Sequence, residues 1–501
     1  MPLGGEINDG AGMSGGPSSL VARNAALRTA GELVAKLASV AFFVAVAREL
    51  GEGGFGDFTF ALSFTTVLLL AAGFGTEELI AREVAREQST VHRYLTDVMA
   101  IKAALSVALL LIAAGIVNAA GYPADVRLAV YLIGVGVALE GMGRTWHAVF
   151  QAFERMEFIS ISLVLQRFAT AIAGIVVLLA GGGLIAVSLV MLGGSLLGFA
   201  VGAWALRRYV VKPRLDVDRS RWRGLMKAGI PIGLVGVLMI GLVKVDQTLL
   251  SFLSEEPGNT EVGYFGAAFR LVEATMFVGW AFSSALLPWF SRHEESLGGS
   301  SLARGYELGL KATATVLVPV GLSFVLLADP LIDLFYGERY ESAVEPLRLL
   351  GAMVFLLGLN EIAAALLIAR DRPLVFARAV AVVGVFNVVL NVLLIPRYGA
   401  SGAAFTALLS AVILAGLGLI VVRPLTGELR LVRSFGAAIA GAGAMAAAVL
   451  PFDLPLMGAG LIGTVSYVAG CLTFERIFFP EDFRTFLGMV RRRRSTPVEV
   501  A

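Results

Sequence analysis

The chain has 501 residues, of which 57% are hydrophobic and only 16% are charged, and its mean hydropathy is +0.82. A soluble globule of this size needs far more polar surface, so the composition predicts a protein that crosses a membrane many times. The single cysteine, Cys471, excludes an intramolecular disulfide and a cysteine-ligated metal site.

The sequence also lacks the motifs of ATP-driven and metal-dependent proteins. The dipeptide Gly-Lys does not occur, so no G-x-x-x-x-G-K-[ST] loop is present. His92, His147 and His293 are far apart, and we expect neither a metal site nor a cofactor. Any work that the protein does must then draw on a gradient or on a substrate.

The chain begins with a polar segment and continues as a series of apolar stretches. Residues 1–19 are rich in Gly, Ser and Pro and lack the pattern of a signal peptide, so we expect a disordered cytoplasmic tail over 1–22. Fourteen later stretches have the length of a membrane-spanning helix. They are predicted at 27–47, 55–80, 95–119, 127–151, 158–180, 184–206, 225–253, 262–290, 306–327, 344–369, 374–395, 399–422, 435–449 and 457–478.

Positive charges fix the predicted orientation and the domain boundaries. With a cytoplasmic N-terminus, the inward segments carry roughly 25 Lys and Arg residues against roughly four on the outward side, which places both termini in the cytoplasm. The richest inward segment divides six helices from eight. We therefore expect an N-lobe (23–206), a basic linker (207–223), a C-lobe (224–422), two extra helices (423–479) and a basic cytoplasmic tail (480–501).

A short motif occurs once in each lobe and predicts an internal repeat. Gly56-Asp57-Phe58-Thr59-Phe60-Ala61 opens the second helix, and Gly263-Tyr264-Phe265-Gly266-Ala267-Ala268 opens the eighth. Their separation of about two hundred residues matches a six-helix period. Because six is an even number, we expect a parallel repeat, with the last two helices outside it.

Several predicted helices carry ionisable side chains, each of which costs roughly 2.5 kcal/mol or more at the centre of a bilayer. Asn24, Arg28, Glu32 and Lys36 recur every four residues and so share one face of the first helix. This face is either a self-neutralising ladder or the wall of a polar cavity. The other candidates for a cavity lining include Lys102, Glu140, Arg144, Lys244, Asp246, Arg270 and Arg378.

The spacing of these groups leaves structural alternatives open. Glu140 with Arg144, and Arg270 with Glu273, have the spacings of intrahelical ion pairs. Five of the six lysines fall in or beside apolar spans, where they either line a cavity or extend toward the interface. Cations outnumber anions in the candidate lining, so the cavity would attract a negatively charged substrate, such as a phosphate or pyrophosphate.

Two segments resemble motifs of the polysaccharide transporter and oligosaccharide flippase family. The first runs through Ala47-Arg48-Glu49-Leu50-Gly51 and Gly54-Phe55-Gly56-Asp57-Phe58 to Gly73-Phe74-Gly75. The second joins Lys244-Val245-Asp246 to Val262-Gly263-Tyr264-Phe265 and Phe269-Arg270-Leu271. The resemblance implies the fold of the multidrug, oligosaccharidyl-lipid and polysaccharide exporter superfamily: an all-α polytopic membrane protein with about 14 transmembrane helices, two six-helix lobes around a central cavity and two C-terminal helices.

The resemblance also implies a cargo, a polyprenyl-pyrophosphate-linked oligosaccharide that is flipped between leaflets of the cytoplasmic membrane. Our leading hypothesis assigns substrate contacts to Arg28, Lys36, Lys102, Arg144, Lys244, Arg270 and Arg378. It assigns the coupling of an ion, H⁺ or Na⁺, to Glu32, Glu140 and Asp246. Membrane lipid and polysaccharide-assembly proteins are the other expected partners, and no nucleic acid is expected.

Three other functions are kept as alternatives. A cation-coupled multidrug exporter of the same fold should have an acidic cavity, which the surplus of cations opposes. A lipid II flippase fits the two extra helices. A membrane glycosyl polymerase or ligase, which is an enzyme, generally needs a sizeable outward domain, and the predicted outward loops are short.

Overall fold

The computed structural model of the chain describes residues 17–73, 75–212, 217–254, 259–292, 300–452 and 454–480, with most side chains from Leu37 onward. Every regular element in these ranges is helical. The α-helices are α1 (Pro17–Gly73), α2 (Thr76–Arg86), α3 (Val91–Ala119), α4 (Ala124–Ala152), α5 (Met156–Leu179), α6 (Leu184–Ala205), α7 (Arg219–Leu253), α8 (Thr260–Glu273), α9 (Met276–Arg292), α10 (Ser300–Leu326), α11 (Ala328–Tyr336), α12 (Val344–Ala369), α13 (Pro373–Thr426), α14 (Leu431–Val449) and α15 (Leu456–Phe478).

Twelve segments of the described chain are long and apolar enough to cross a membrane. Two of them contain a glycine of positive φ that separates two helical arms, Gly51 (φ 69°) in α1 and Gly399 (φ 49°) in α13. Other residues are strained at such a φ, so glycine permits these turns. With both arms of α1 and α13 counted, the described ranges contain the fourteen predicted crossings, and the all-α polytopic fold is confirmed.

The helices form a front group (α1–α6), a rear group (α7–α13) and a C-terminal pair (α14 and α15). In the front group, α4 and α5 both pack against α1 and α6. In the rear group, α12 packs against α9, α10 and α13, and α13 packs against α7. The C-terminal helices pack against each other, and α14 contacts α10. The lobe boundaries at 206, 223 and 422 stay predictions.

The two copies of the repeated motif meet where the second arm of α1 crosses α8. A Cβ atom on Gly56 would lie 1.8 Å from the carbonyl oxygen of Asn259, and one on Gly263 would lie 2.1 Å from that of Glu52. Backbone touches backbone at this crossing, so a side chain at either glycine would force the helices apart. Asn259 Nδ2 also donates a hydrogen bond to Asp57 Oδ1 across the crossing (2.7 Å).

Further hydrogen bonds join the front and rear groups at the same end of the bundle. Tyr340 donates its hydroxyl proton to the carbonyl oxygen of Ala47 (2.8 Å), and Arg48 Nε donates to the carbonyl oxygen of Phe335 (2.7 Å). The charge distribution predicts that this end faces outside the cell, so we call it the predicted outer end. There a close backbone crossing and hydrogen bonds to main-chain oxygens join the two groups.

The front and rear groups also contact each other at the opposite end, the predicted inner end. A Cβ atom on Gly75, between α1 and α2, would lie 2.3 Å from the backbone nitrogen of Gly233 in α7. The fully buried Asp97 of α3 accepts a hydrogen bond from the Asp218 backbone N–H (2.9 Å) and lies 2.8 Å from Arg221 Nε. The space between the groups is therefore bounded by contacts at both ends.

Candidate functional site

A cavity of about 640 Å³ lies between the front group and the end of α8. Helices α1, α4, α5 and α6 supply most of its described wall, and α8 closes it from the rear group. Within the described residues, its charged lining consists of Arg144, Arg167, Arg270, Glu140 and Glu273, with His147 beside them. Arginines outnumber carboxylates, so the described lining is net positive and favours an anionic ligand.

On the rear side of the cavity, one carboxylate holds two cations. Lys244 Nζ lies 2.8 Å from Glu273 Oε1, and Arg270 Nη1 lies 2.6 Å from Glu273 Oε2. The predicted pair of Arg270 with Glu273 is therefore present, and Lys244 of α7 joins it. The Arg270 guanidinium also lies over the ring of Phe43, 3.6 Å from its centroid. This stacking joins α8 to the first arm of α1 across the cavity.

On the front side, a second carboxylate holds two cations in the same way. Lys102 Nζ lies 2.9 Å from Glu77 Oε1 and donates to the carbonyl oxygen of Gly141 (3.0 Å), and its side chain is 2% exposed. Arg144 Nε lies 3.4 Å from the same Glu77 oxygen, and its side chain is 47% exposed. The predicted intrahelical pair of Arg144 with Glu140 is not formed, because α2 brings Glu77 to Arg144.

Glu140 instead accepts hydrogen bonds from uncharged side chains. Gln166 Nε2 of α5 donates to Glu140 Oε1 (2.6 Å), and Ser195 Oγ of α6 donates to the same oxygen (3.0 Å). Glu140 lines both the large cavity and a neighbouring one of about 120 Å³. The carboxylate therefore stands at a junction of two spaces, and uncharged donors fix its orientation.

Asp246 lies in the rear group, in a network of amides away from the large cavity. It is 3% exposed and accepts a hydrogen bond from Asn391 Nδ2 of α13 (2.7 Å). Asn391 Nδ2 also donates to Asn387 Oδ1 (3.0 Å), and Asn387 Nδ2 donates to Ser410 Oγ (3.2 Å). Asp246, Asn387 and Ser410 line a cavity of about 50 Å³, together with Asn360.

Of the four remaining predicted site residues, the structure describes the side chain of Arg378 alone. Arg378 is exposed on α13 and is not among the described residues that line the large cavity. The side chains of Arg28, Glu32 and Lys36 lie outside the described residues, although their backbone belongs to α1. Substrate and ion-coupling roles for all four stay predictions.

Three polar residues of the site were missed from the sequence. Glu77 was predicted inside the second helix, at 55–80, but the structure ends that helix at Gly73 and places Glu77 in α2, after the turn at Gly75. Its predicted place gave no sign that side chains of α3 and α4 would contact it. Gln166 and Ser195 are uncharged, so the pattern of intramembrane charge does not include them. The sign that could have found them is their place on α5 and α6, where uncharged hydrogen-bonding groups interrupt apolar runs.

Comparison with known proteins agrees with the fold and the family. The profile of the family Polysacc_synt, described as "Polysaccharide biosynthesis protein", matches residues 21–294. The "Probable low-salt glycan biosynthesis flippase Agl15" of Haloferax volcanii is 22% identical over 382 residues, 73% of this chain and 75% of that protein. An uncharacterized membrane protein of Methanocaldococcus jannaschii is 24% identical over 197 residues, 39% of this chain and 38% of that protein. The chain thus spans little more than a third of the latter.

Two solved structures show the same architecture. The lipid II flippase MurJ in an inward closed conformation aligns with a TM-score of 0.78 and 15% identity, over 90% of this chain and 99% of that chain. An inward-facing multidrug resistance MATE family transporter of the MOP superfamily aligns with a TM-score of 0.65 and 16% identity, over 78% and 94%. These likenesses confirm the fold that the motifs implied. Because the profile covers more than half of the sequence, the chain belongs to the polysaccharide biosynthesis protein family Polysacc_synt.

Proposed function

We propose that this protein is a flippase that moves a polyprenyl-pyrophosphate-linked oligosaccharide across the cytoplasmic membrane by alternating access, for the synthesis of cell-surface polysaccharide. The observation that carries the proposal is the net positive charge of the described cavity lining, with Arg144 on the front side and Arg270 on the rear side. Family membership and the flippase named among its relatives support the same class of cargo. The proposal assigns no catalytic residue.

The chemistry of the two arginines suits a pyrophosphate. A guanidinium binds phosphate oxygens through two parallel hydrogen bonds, and its charge is fixed at all relevant pH values. Arg144 belongs to the front group and Arg270 to the rear group, so a headgroup in the cavity can be bound by both. Relative movement of the groups would carry the headgroup across while the polyprenyl tail stays in the bilayer.

The proposal includes a coupling ion at Asp246, with H⁺ or Na⁺ as the candidates and Glu140 and Glu32 as further carriers. In the described chain, Asn391 Oδ1 and Asn360 Oδ1 are buried without a hydrogen-bond donor. Asn391 donates a hydrogen bond to Asp246 through its Nδ2 atom, and Asn360 lines the same cavity as Asp246. Oxygen atoms from a carboxylate and from amides are the ligands that hard cations prefer. A bound cation would satisfy acceptors that otherwise stay unpaired.

The proposed orientation places both termini and the basic segment 207–223 in the cytoplasm of a plasma-membrane protein. Substrate would then enter from the predicted inner end and leave at the predicted outer end. Release requires the contact of Gly56 with α8 to separate, because that crossing joins the two groups there. Polysaccharide-assembly proteins would receive the product outside.

Two alternatives share the fold. A multidrug exporter is favoured by the likeness to the MATE transporter, but the net positive lining would repel a cationic drug. The substrate of a lipid II flippase carries the same pyrophosphate headgroup. It differs from the substrate that we propose only in the attached saccharide and peptide. The cavity cations alone do not separate these two flippases, so the test must compare their substrates.

Transport by the purified protein in vesicles tests the proposal. A fluorescent polyprenyl-pyrophosphate oligosaccharide, lipid II and a fluorescent organic cation are each followed into the protected leaflet or lumen. We expect transfer of the oligosaccharide lipid, a loss of about tenfold or more in rate for Arg270→Ala, and no loss for Arg423→Ala, which removes an exposed pair with Glu428. Preferred transfer of lipid II or of the cation would favour the corresponding alternative.

A further inference from the structure

The front wall of the large cavity carries a second kind of chemistry, separate from its arginines. Glu140, Gln166 and Ser195 come from three successive helices, α4, α5 and α6, and all three line the cavity. Both hydrogen bonds within this cluster end on one oxygen, Glu140 Oε1. Among the described residues, no side chain donates to Glu140 Oε2. Glu140 Oε2 is therefore an acceptor that no described side chain satisfies, on a residue that lines the cavity.

Close helix packing sets the position of this cluster. A Cβ atom on Gly198 of α6 would lie 2.4 Å from Gln166 Oε1, and one on Gly194 would lie 1.8 Å from Thr170 Oγ1. Gly198 lies one turn after both Gly194 and Ser195, and the two glycines leave room for the polar ends of α5 side chains. The polar atoms of Gln166 and Thr170 therefore pack directly against the backbone of α6, and this packing fixes their positions.

The cluster does not suit the anionic part of a substrate. Glu140 carries negative charge and receives its two hydrogen bonds from uncharged groups, so it would repel a pyrophosphate. The chemistry does suit hydroxyl groups, which both donate and accept hydrogen bonds. The carboxylate accepts from a hydroxyl, and Gln166 Nε2, which uses one N–H on Glu140, has a second N–H that can donate to one. A wall with these groups is complementary to the hydroxyl groups of a sugar ring.

We propose that Glu140, Gln166 and Ser195 form a polyol subsite that binds the hydroxyl groups of the sugar attached directly to the pyrophosphate. This inference rests on the proposed function, since the pyrophosphate bound at Arg144 and Arg270 brings the first sugar to the front wall. The cavity volume of about 640 Å³ lies within the range of pockets that enclose a small organic ligand. The first sugar is therefore the part of the glycan that the subsite selects.

Equilibrium binding to the purified full-length protein tests the subsite. The probes are bare polyprenyl pyrophosphate, the same lipid carrying one glucosyl residue, and the same lipid carrying one N-acetylglucosaminyl residue. We expect at least one glycosylated probe to bind about tenfold more tightly than the bare lipid, which is the effect of one or two hydrogen bonds. Gln166→Met and Ser195→Ala should remove this preference and change the affinity for the bare lipid less than twofold.

Ser188→Ala is the matched control. Ser188 is also a buried serine of α6, but its hydroxyl donates to the carbonyl oxygen of Leu184 (2.8 Å) and it is not among the described lining residues. This variant should keep the wild-type preference.

The outcomes separate the inference from the proposed function. Equal binding of all three probes by the wild type would overturn the subsite and leave the flippase proposal standing. If Gln166→Met or Ser195→Ala lowered the affinity for bare and glycosylated lipids equally, the subsite would likewise be overturned and the flippase proposal would stand. No binding of any probe would overturn the proposed function, and the subsite with it. If a variant fails to fold, the wild-type comparison still decides.

Discussion

Glu77 and Glu273 make similar contacts in the two groups of helices: each binds a largely buried lysine and a cavity-lining arginine at once. Glu77 lies 2.9 Å from Lys102 Nζ and 3.4 Å from Arg144 Nε. Glu273 binds Lys244 and Arg270 at 2.8 and 2.6 Å. Each cluster keeps one net positive charge. An arriving anion therefore competes with a carboxylate for each arginine.

This competition predicts the behaviour of Glu273→Gln. Without the carboxylate, two largely buried cations lose their counter-charge, and we expect the protein to lose roughly 2 kcal/mol of stability. A pyrophosphate lipid can replace that charge, so it should stabilise the variant more strongly than the wild type. The measurement is the thermal midpoint of unfolding in detergent, with and without bare polyprenyl pyrophosphate.

A matched control for Glu273→Gln is available outside the cavity. Glu475 of α15 lies 2.6 Å from Lys311 Nζ of α10, and both side chains are mostly buried. Glu475→Gln should lower the midpoint without changing the shift that the lipid produces. If the lipid shifts Glu273→Gln no more than the wild type, the idea of competition for Arg270 is wrong.

The two cations of the front cluster are expected to differ in role. Lys102 is 2% exposed and is not among the described residues that line the cavity, whereas Arg144 is 47% exposed and lines it. Lys102→Met should therefore lower stability, by roughly 3 kcal/mol, and leave the pyrophosphate affinity of the folded protein nearly unchanged. Arg144→Gln should lower that affinity about tenfold with a smaller loss of stability.

Binding of bare polyprenyl pyrophosphate, together with thermal unfolding, checks both variants. The opposite pattern, in which Lys102→Met weakens binding and Arg144→Gln leaves it intact, would mean that the cavity rearranges so that Lys102 reaches the substrate. The sequence alone gave both residues the same role, since spacing within one helix does not reveal which side chain a neighbouring helix covers.

The helices and their number could be predicted from the sequence because they depend on local features: the length of each apolar stretch and the spacing of apolar residues within it. Ion pairs between helices could not. The four-residue spacing of Glu140 and Arg144 predicted a pair within α4, yet Arg144 contacts Glu77 and Glu140 contacts Gln166 and Ser195. Once helices pack, a side chain on a neighbouring helix competes with a side chain one turn away on the same helix. The spacing of residues within one helix does not show which helices will pack against it.

Asp246 should affect coupling more than substrate affinity. Its carboxylate lies in the amide network with Asn391, away from the large cavity. Asp246→Asn keeps the size and the hydrogen-bonding capacity of the side chain but removes its charge, so a cation would bind weakly or not at all. We expect pyrophosphate-lipid binding within about twofold of the wild type and gradient-driven transport lowered about tenfold or more.

Vesicles with an imposed Na⁺ gradient, and separately with a pH gradient, measure this effect and identify the ion. Asn387→Ser, which replaces a neighbouring amide by a shorter hydroxyl side chain, should weaken the response to the same gradient. Full gradient-driven transport by Asp246→Asn would remove Asp246 as the coupling residue and leave Glu140 and Glu32 as the candidates.

The repeated glycines Gly56 and Gly263 were recognised from the sequence as a repeat, but their contact was not, because a repeat shows similarity and not proximity. Gly56→Ala would place a methyl carbon 1.8 Å from the backbone oxygen of Asn259. Backbone cannot move aside as a flexible side chain does, so we expect α1 and α8 to separate and the predicted outer end to open, at a cost of roughly 1–3 kcal/mol.

Labelling of a single introduced cysteine measures this opening. In a Cys471→Ala background, Ser251→Cys places a thiol beside Tyr122 and Asn259, whose side chains both hydrogen-bond Ser251. An impermeant maleimide should label it slowly in the parent protein and at least about fivefold faster with Gly56→Ala, because the separated helices admit the reagent. Gly53→Ala is the control, since its methyl group would lie 3.8 Å from Thr260 Oγ1, an ordinary contact. Equal labelling of the Gly53 and Gly56 variants would show that the glycine crossing does not hold this end closed.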